Sequence, residues 1–317
     1  MGLGRTKKAK RANAEGWTAV VFAAGRVDVA CVSRQPGGRP RVESCESYAL
    51  GSSSAETLTR LKKRYGLNRS RCTTLLVPGS YQMTVMETPV PDAGERLQAI
   101  RARLQESVDY PVEHATIDVI KLPGLAQGTG RASMSMVVAA SNAVLAPKIR
   151  AFQSAGVSLE VIDIPEMAQR NLAALCEEPQ RGLVFLGFDD SGGLLTLTAD
   201  GELYAARRIE ITLDAGLASN PERQADVFDR IGLEVQRSLD NFDRQHGAMP
   251  INRLVLGPHP VAESLCLFLR DYLSLPVAVM ELAAVIDFPN VPELARMDRQ
   301  AQCLPAIGAA LRMEQVE

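Results

Sequence analysis

The stretch that decides the fold is Asn220-PERQADVFDRIGLEVQRSLDNFDRQHGAMPINRLVLGPHPVAESLCLFLRDYLSLPVA-Val279. It opens with Ser219-Asn220-Pro221-Glu222, where a side chain able to cap a helix precedes proline at the first helical position, a place where its missing N–H does no harm. Val227, Phe228, Ile231, Val235, Leu239 and Phe242 recur at three- and four-residue steps, which puts one apolar stripe on a long helix. That helix is expected to stop at His246-Gly247. A short apolar run, Arg253-Leu254-Val255-Leu256, then ends in Gly257-Pro258-His259-Pro260. A second amphipathic helix (Ala262 to Leu273) and a second strand (Pro276 to Val279) follow. Long helix, buried strand, tight loop, helix, strand is the C-terminal half of an α/β unit, and ligands usually bind at such a strand end.

Upstream of this stretch, Leu183 to Phe188 is apolar, Asp189-Asp190-Ser191-Gly192-Gly193 reads as a turn, and Leu194 to Thr198 as a strand. Asp200-Gly201 is a hairpin signal, leading into a third strand over Glu202 to Ile211. The same order begins at Trp17. There a strand (Trp17 to Phe22), a turn (Ala23-Ala24-Gly25-Arg26), a strand (Val27 to Val32), the Pro36-Gly37-Gly38 turn and a strand (Arg41 to Leu50) form a meander. A helix from Ser53-Ser54 to Tyr65 and a strand from Cys72 to Val77 complete it. The repeat is one of architecture; sequence identity between the halves is negligible. Between them, the sequence predicts helices over Ala93 to Val108 and Asn142 to Ala155. It predicts strands over Ala115 to Lys121, Ala132 to Ala140 and Ser158 to Ile164. The expected organisation is a basic tail (1–15), a first unit (16–88), an inserted α+β subdomain (89–165) and a second half (166–317), entered through a linking helix at 166–180.

The 317 residues, 46% hydrophobic and 23% charged, are ordinary globular material. A net charge of −2 argues against nucleic-acid binding, which needs a strongly basic face. The six cysteines (Cys31, Cys45, Cys72, Cys176, Cys266 and Cys303) are scattered, so free thiols in a reducing cytoplasm are expected, with no metal site. The apolar tracts near Met136 to Val144 and Leu273 to Phe288 are short or broken by Asn142 and Glu281, so no membrane span is expected. Arg5, Lys7, Lys8, Lys10 and Arg11 form an acid-free cluster, either a solvated tail or a contact for an anionic membrane surface. Met1-Gly2 with Thr6 also fits a short myristoylation pattern.

A duplicated meander-plus-α/β unit with an insertion in its first half resembles the actin-like ATPase fold, within the ribonuclease H-like class. Several short stretches narrow the resemblance to PilM-type pilus assembly proteins. These are Leu97, Ala99 and Ile100, then Tyr110-Pro111-Val112-Glu113 and Ile117-Asp118-Val119. Val137-Val138-Ala139-Ala140-Ser141, Ala155-Gly156-Val157 and Val161-Ile162-Asp163-Ile164-Pro165 continue the pattern. Glu234-Val235, Arg237-Ser238-Leu239-Asp240 and Phe242, followed by Ile251 to Leu256, resemble the family's late helix and strand. The resemblance covers nearly the whole chain after the tail and is nearest to the MshI-type members of mannose-sensitive haemagglutinin (MSHA) pilus biogenesis. The cytoplasmic part of the type II secretion L protein is a more distant cousin.

The resemblance implies a nucleotide cleft in which Gly-rich turns offer backbone N–H groups to phosphate, acids organise Mg²⁺, and a glycine pair admits the nucleotide. Each element departs from that pattern here. Val21 and Ala23 stand where the family carries Asp-x-Gly, leaving only Gly25-Arg26 in the turn. Gly187 and Asp189 stand where the second Asp-x-Gly would be, with acid and glycine exchanged. Gly257-Pro258-His259 replaces the glycine pair, and proline has no N–H to offer.

The residues of this degenerate cleft are Gly25, Arg26, Asp189, Asp190, Gly192, Glu234, Arg237 and Gly257. Asp189 and Asp190 are also natural turn formers. Glu234 and Arg237, three apart on one helix face, form a surface pair unless they border the base pocket as in the family. No catalytic residue and no cofactor is expected. The implied role is a cytoplasmic scaffold, peripheral to the inner membrane, that docks the tail of a PilN-like membrane protein within the pilus assembly platform. The alternative is an actin-like protein that still binds or hydrolyses Mg-ATP through altered phosphate loops. A kinase of the same fold would need a catalytic carboxylate and a substrate pocket, and neither is assignable.

Overall fold

In a computed structural model the described residues are 16–35, 37–87, 93–122, 134–214, 216–246 and 249–313. The basic cluster Arg5, Lys7, Lys8, Lys10 and Arg11, and the helix stop expected at Gly247, lie outside them. The first half starts with the meander β1 (Gly16–Ala23), β2 (Arg26–Ser33) and β3 (Arg41–Ala49), followed by α1 (Ser54–Tyr65) and β4 (Arg71–Leu75). Ser53 caps α1, its Oγ accepting from the Glu56 amide at 3.1 Å. An inserted unit follows: β5 (Gln82–Glu87), α2 (Ala93–Leu104), β6 (Ala115–Lys121) and β7 (Met134–Ser141). Next come α3 (Asn142–Ala155), β8 (Leu159–Asp163) and α4 (Pro165–Ala173).

The second half repeats the meander as β9 (Gly182–Asp189), β10 (Gly192–Ala199) and β11 (Glu202–Ile209). It continues with α5 (Pro221–His246), β12 (Ile251–Leu256), α6 (Ala262–Tyr272), β13 (Val277–Val279), α7 (Leu282–Val285) and α8 (Met297–Ala310). The expected cap of α5 is present: Asn220 Oδ1 accepts from the Arg223 amide at 3.1 Å. Ile231 and Val235 of the predicted stripe are fully buried.

The two large sheets have matching strand orders, β3-β2-β1-β4-β8 and β11-β10-β9-β12-β13. In each, an antiparallel meander adds two parallel strands. β9 and β10 are almost wholly buried, as continuous apolar runs covered on both faces must be. A core shared by both halves joins Ala19 and Val32 to Phe185 and Val255 through Leu172 of α4 and Ile307 of α8. These two helices cross closely: a Cβ on Gly308 would stand 2.5 Å from the Ala168 carbonyl oxygen, and Asn171 Nδ2 donates to the Gly308 oxygen at 2.9 Å.

Strand pairing divides the chain differently from boundaries at 88 and 165. β5 lies before residue 89 yet pairs with β7 in the inserted three-stranded sheet, ordered β5-β7-β6. β8 lies before 165 yet pairs with β4, and α3 packs on α1 through Phe152, Leu58 and Leu61. The inserted unit therefore spans β5 to β7, and α3 and β8 belong to the first half. Apolar runs reveal strands; which strand they pair with depends on segments far away in the chain.

Candidate functional site

Two hairpins, one from each half, face each other. The first turns tightly, with Ala23 opposite Arg26 and Gly25 at φ +69°, a conformation glycine adopts without strain. The second pairs Asp189 with Gly192 around Asp190-Ser191. Arg26 joins them. Its Nη1 donates to Asp190 Oδ2 at 2.6 Å and its Nε to Asp28 Oδ2 at 3.0 Å. Asp28 is buried within β2 and also accepts from Ser47 Oγ at 2.5 Å. In the second turn, Asp189 Oδ1 accepts from the Ser191 amide at 2.8 Å and from Ser191 Oγ at 2.5 Å. The Ser191 amide is thus occupied by its own neighbour, an Asx-type turn.

Beside the second turn, Arg208 Nη1 reaches Ser191 Oγ at 3.4 Å and its Nε lies 3.5 Å from Glu166 Oε1. Tyr81 donates to the buried Glu166 Oε2 at 2.5 Å. Burial, reinforced by the Glu166 charge, pushes the Tyr81 phenol well above its ordinary range.

Beneath the hairpins the backbones crowd together. A Cβ on Gly257 would stand 3.3 Å from Gly187 Cα, and one on Gly187 would stand 2.6 Å from Gln169 Oε1. Gln169 Nε2 donates to the carbonyls of Phe185 (3.1 Å) and Leu194 (2.9 Å), with Thr196 Oγ1 at 3.0 Å, so α4 is tied to β9 and β10. Gly192, at φ +125°, lets β10 approach the Ile209 carbonyl.

A cavity of about 260 Å³ lies between the hairpins, and a neighbouring one of about 520 Å³ is bordered by His259, Asp214 and Asp298; Arg26, Asp189 and Asp190 line both. Asp214 pairs with Arg223 and Asp298 with Arg296. Burial lowers the His259 pKa, opposed by a hydrogen bond to the Leu213 backbone; its Nδ1 accepts from the Val261 amide at 3.3 Å. Among the described residues, no three His, Cys, Asp or Glu side chains converge to hold a metal ion.

The cleft therefore gathers Arg26, Asp189 and Asp190, shaped by Gly25 and Gly192, with Gly257 packed below. Glu234 and Arg237 are not part of it. Glu234 pairs with Arg207 at 2.5 Å and Arg237 at 3.0 Å, on the flank of α5 that faces β11. Neither borders the cavities between the hairpins. The sequence pattern does not mark Gln169; for Asp28 the available signal is an acid inside the apolar run Val27-Asp28-Val29.

A larger groove, about 900 Å³, lies between the inserted sheet and the first half. β6 and β8 both border it, and each is the edge strand of its sheet. Leu145 and Ile149 of α3 and Ile162 of β8 give it apolar walls, and Asp163, Arg170, Glu202 and Arg312 form a charged end. Arg312 Nη1 donates to Asp163 Oδ2 at 2.5 Å. Burial raises the Asp163 carboxyl and Arg312 opposes the rise. Trp17 lies against the Arg71 guanidinium at 4.1 Å, with that of Arg312 at 5.8 Å.

No family model and no curated protein matches the sequence. Among solved structures the chain is similar to one described as a PilM-PilN type IV pilus biogenesis complex, at 20% identity over 93% of this chain and 97% of that chain, with a TM-score of 0.73. The fold is that of the actin-like ATPases. Also similar are a Bacteroides thetaiotaomicron protein described as having an actin-like ATPase fold and the cytoplasmic domain of EpsL, from the type II secretion system of Vibrio cholerae. The first is 8% identical over 93% of this chain and 99% of that chain, TM-score 0.49. The second is 13% identical over 62% and 71%, TM-score 0.44. At these identities the likeness is one of fold. No helix among the described residues is long and apolar enough to cross a membrane.

Proposed function

We propose that this chain is a cytoplasmic assembly protein of a type IV pilus that docks the cytoplasmic tail of a PilN-like membrane protein. The observation that carries the proposal is the groove bordered by β6 and β8, which are edge strands among the described residues. An extended peptide laid there can hydrogen-bond a strand edge and place alternate side chains against Leu145, Ile149 and Ile162, which is strand addition with pockets for specificity. The charged end gives it an anchor for a polar or charged group. The structural likeness to a PilM-PilN complex supports the same reading, and the sequence resemblance favours the MSHA system among pili.

The cleft between the hairpins supports a scaffold rather than an ATPase. Arg26 is engaged by two aspartates, the Ser191 amide by Asp189, and Pro258 offers no N–H. The basic residues Arg5, Lys7, Lys8, Lys10 and Arg11 would add contact with anionic inner-membrane lipid, at about 1 kcal/mol each. A membrane-held partner raises the local concentration of both contacts.

The test is calorimetric titration of the chain with a synthetic peptide of the PilN-like tail. Saturable binding that disappears in Ile162→Glu, a half-buried groove position, in a variant that still unfolds cooperatively on heating, supports the reading. Binding unaffected by that change, or no binding, refutes it.

A further inference from the structure

The cavity between the hairpins has walls of a different character from its rim. Val21 and Leu75 enter from the first half, Phe188 and Leu194 from the second, and Ala168 and Leu304 from the two crossing helices. Of the charged groups, Arg26 donates to both Asp28 and Asp190, and Asp189 accepts from Ser191. An anion would face Asp28, Asp189 and Asp190, the Ser191 amide is taken by Asp189, and the first position of α4 is Pro165, which has no N–H. Water against the Val21, Leu75, Leu194 and Leu304 side of the cavity gains little, since a buried water needs two to four polar partners.

We propose that this cavity binds a small, neutral, mostly apolar molecule of one or two rings. The volume allows it: about 260 Å³ here, against roughly 150 Å³ for a dry apolar cavity that accepts benzene. Gln169 supplies a polar handle within the apolar walls. Gln169 spends its Nε2 on Phe185, Leu194 and Thr196, and its Oε1 lies over Gly187 on the cavity wall, placed to accept from a single N–H or O–H. Apolar walls with few oriented polar groups are the usual make-up of small-molecule sites. Because the walls come from both halves, the occupant holds the two hairpins at a fixed spacing and stabilises their juxtaposition. This inference rests on the reading of the cleft as closed to Mg-nucleotide.

Indole, apolar with one N–H, is the probe. Calorimetric titration and thermal shift of the full chain are carried out with indole and, in parallel, with Mg-ATP. Ala168→Val fills the cavity from α4 and Ala23→Leu fills it from the half-buried end of β1; Leu267→Ala, on the exposed face of α6, is the control. The expected result is saturable, single-site indole binding with a rise in Tm, lost in both filled variants and kept in Leu267→Ala. If Ala168→Val does not fold, Ala23→Leu decides. No saturable indole binding, or binding kept in the filled variants, overturns the inference. Mg-ATP binding without indole overturns both it and the scaffold reading of the cleft. Neither ligand binding leaves that reading standing and removes this inference alone.

Discussion

Arg26 Nη1 and Asp190 Oδ2 stand 2.6 Å apart although 164 residues separate them in the chain. The contact joins the β1–β2 hairpin of one half to the β9–β10 hairpin of the other. The two turns thus grip each other across the cleft.

The two ends of this contact differ in what they leave behind. Asp190 is more than half exposed, so Asp190→Ala removes a surface pair and costs under about 1 kcal/mol. Arg26→Ala also strips a donor from the buried Asp28, leaving it Ser47 Oγ, and should cost about 1–3 kcal/mol. Urea denaturation of the two variants checks the order.

Gly187 and Gln169 are coupled. Gly187→Ala places a methyl 2.6 Å from Gln169 Oε1, and the amide cannot yield because its Nε2 is pinned to β9 and β10. The substitution should destabilise by about 1–3 kcal/mol, in the range of overpacking a filled site. In a Gln169→Ala background the collision is gone, so the cost of Gly187→Ala should largely vanish. A double-mutant cycle reads this non-additivity directly.

Burial lowers the His259 pKa below its ordinary 6.5. Between the folded and unfolded pKa values the unfolded chain binds the proton and the folded chain does not. The contribution is therefore complete above pH 6.5 and is lost as pH falls from there towards the folded value. Chemical denaturation from pH 7.5 to 5 should show a decline that His259→Gln flattens.

Arg312 holds the buried Asp163 at the end of the large groove. Arg312→Ala removes one partner of that pair and should cost about 3 kcal/mol or more. The Asp163 pKa should rise further, since burial already pushes it up and Arg312 opposes. Trp17, the single tryptophan, lies beside the same guanidinium, so its fluorescence should change in this variant.

Much of the architecture was readable because it is local. Caps at Ser53 and Asn220, the Asp200-Gly201 turn with both residues at positive φ, and the α5 stripe all follow from neighbours in sequence. What depended on distant partners was not. α8 escaped notice because Pro305 interrupts it and Ala306, Ile307, Gly308, Ala309 and Ala310 are buried on every side, leaving no amphipathic period. β5 has no fully buried residue to mark it. At the site, the reading of Asp189 as a turn former matches its hydrogen bonds to Ser191, whereas the Arg26–Asp190 contact needed the two halves to be brought together.

Under the proposed function, a partner's tail lies along the edge strands β6 and β8 in the groove beside the inserted sheet. Amide hydrogen exchange on the full chain, with and without the PilN-like tail peptide, tests it most directly. Added protection is expected, confined to Thr116–Ile120 on β6, Val161–Ile164 on and just after β8, or both. Protection in the hairpins around Gly25 and Ser191 instead, or none anywhere, would contradict it.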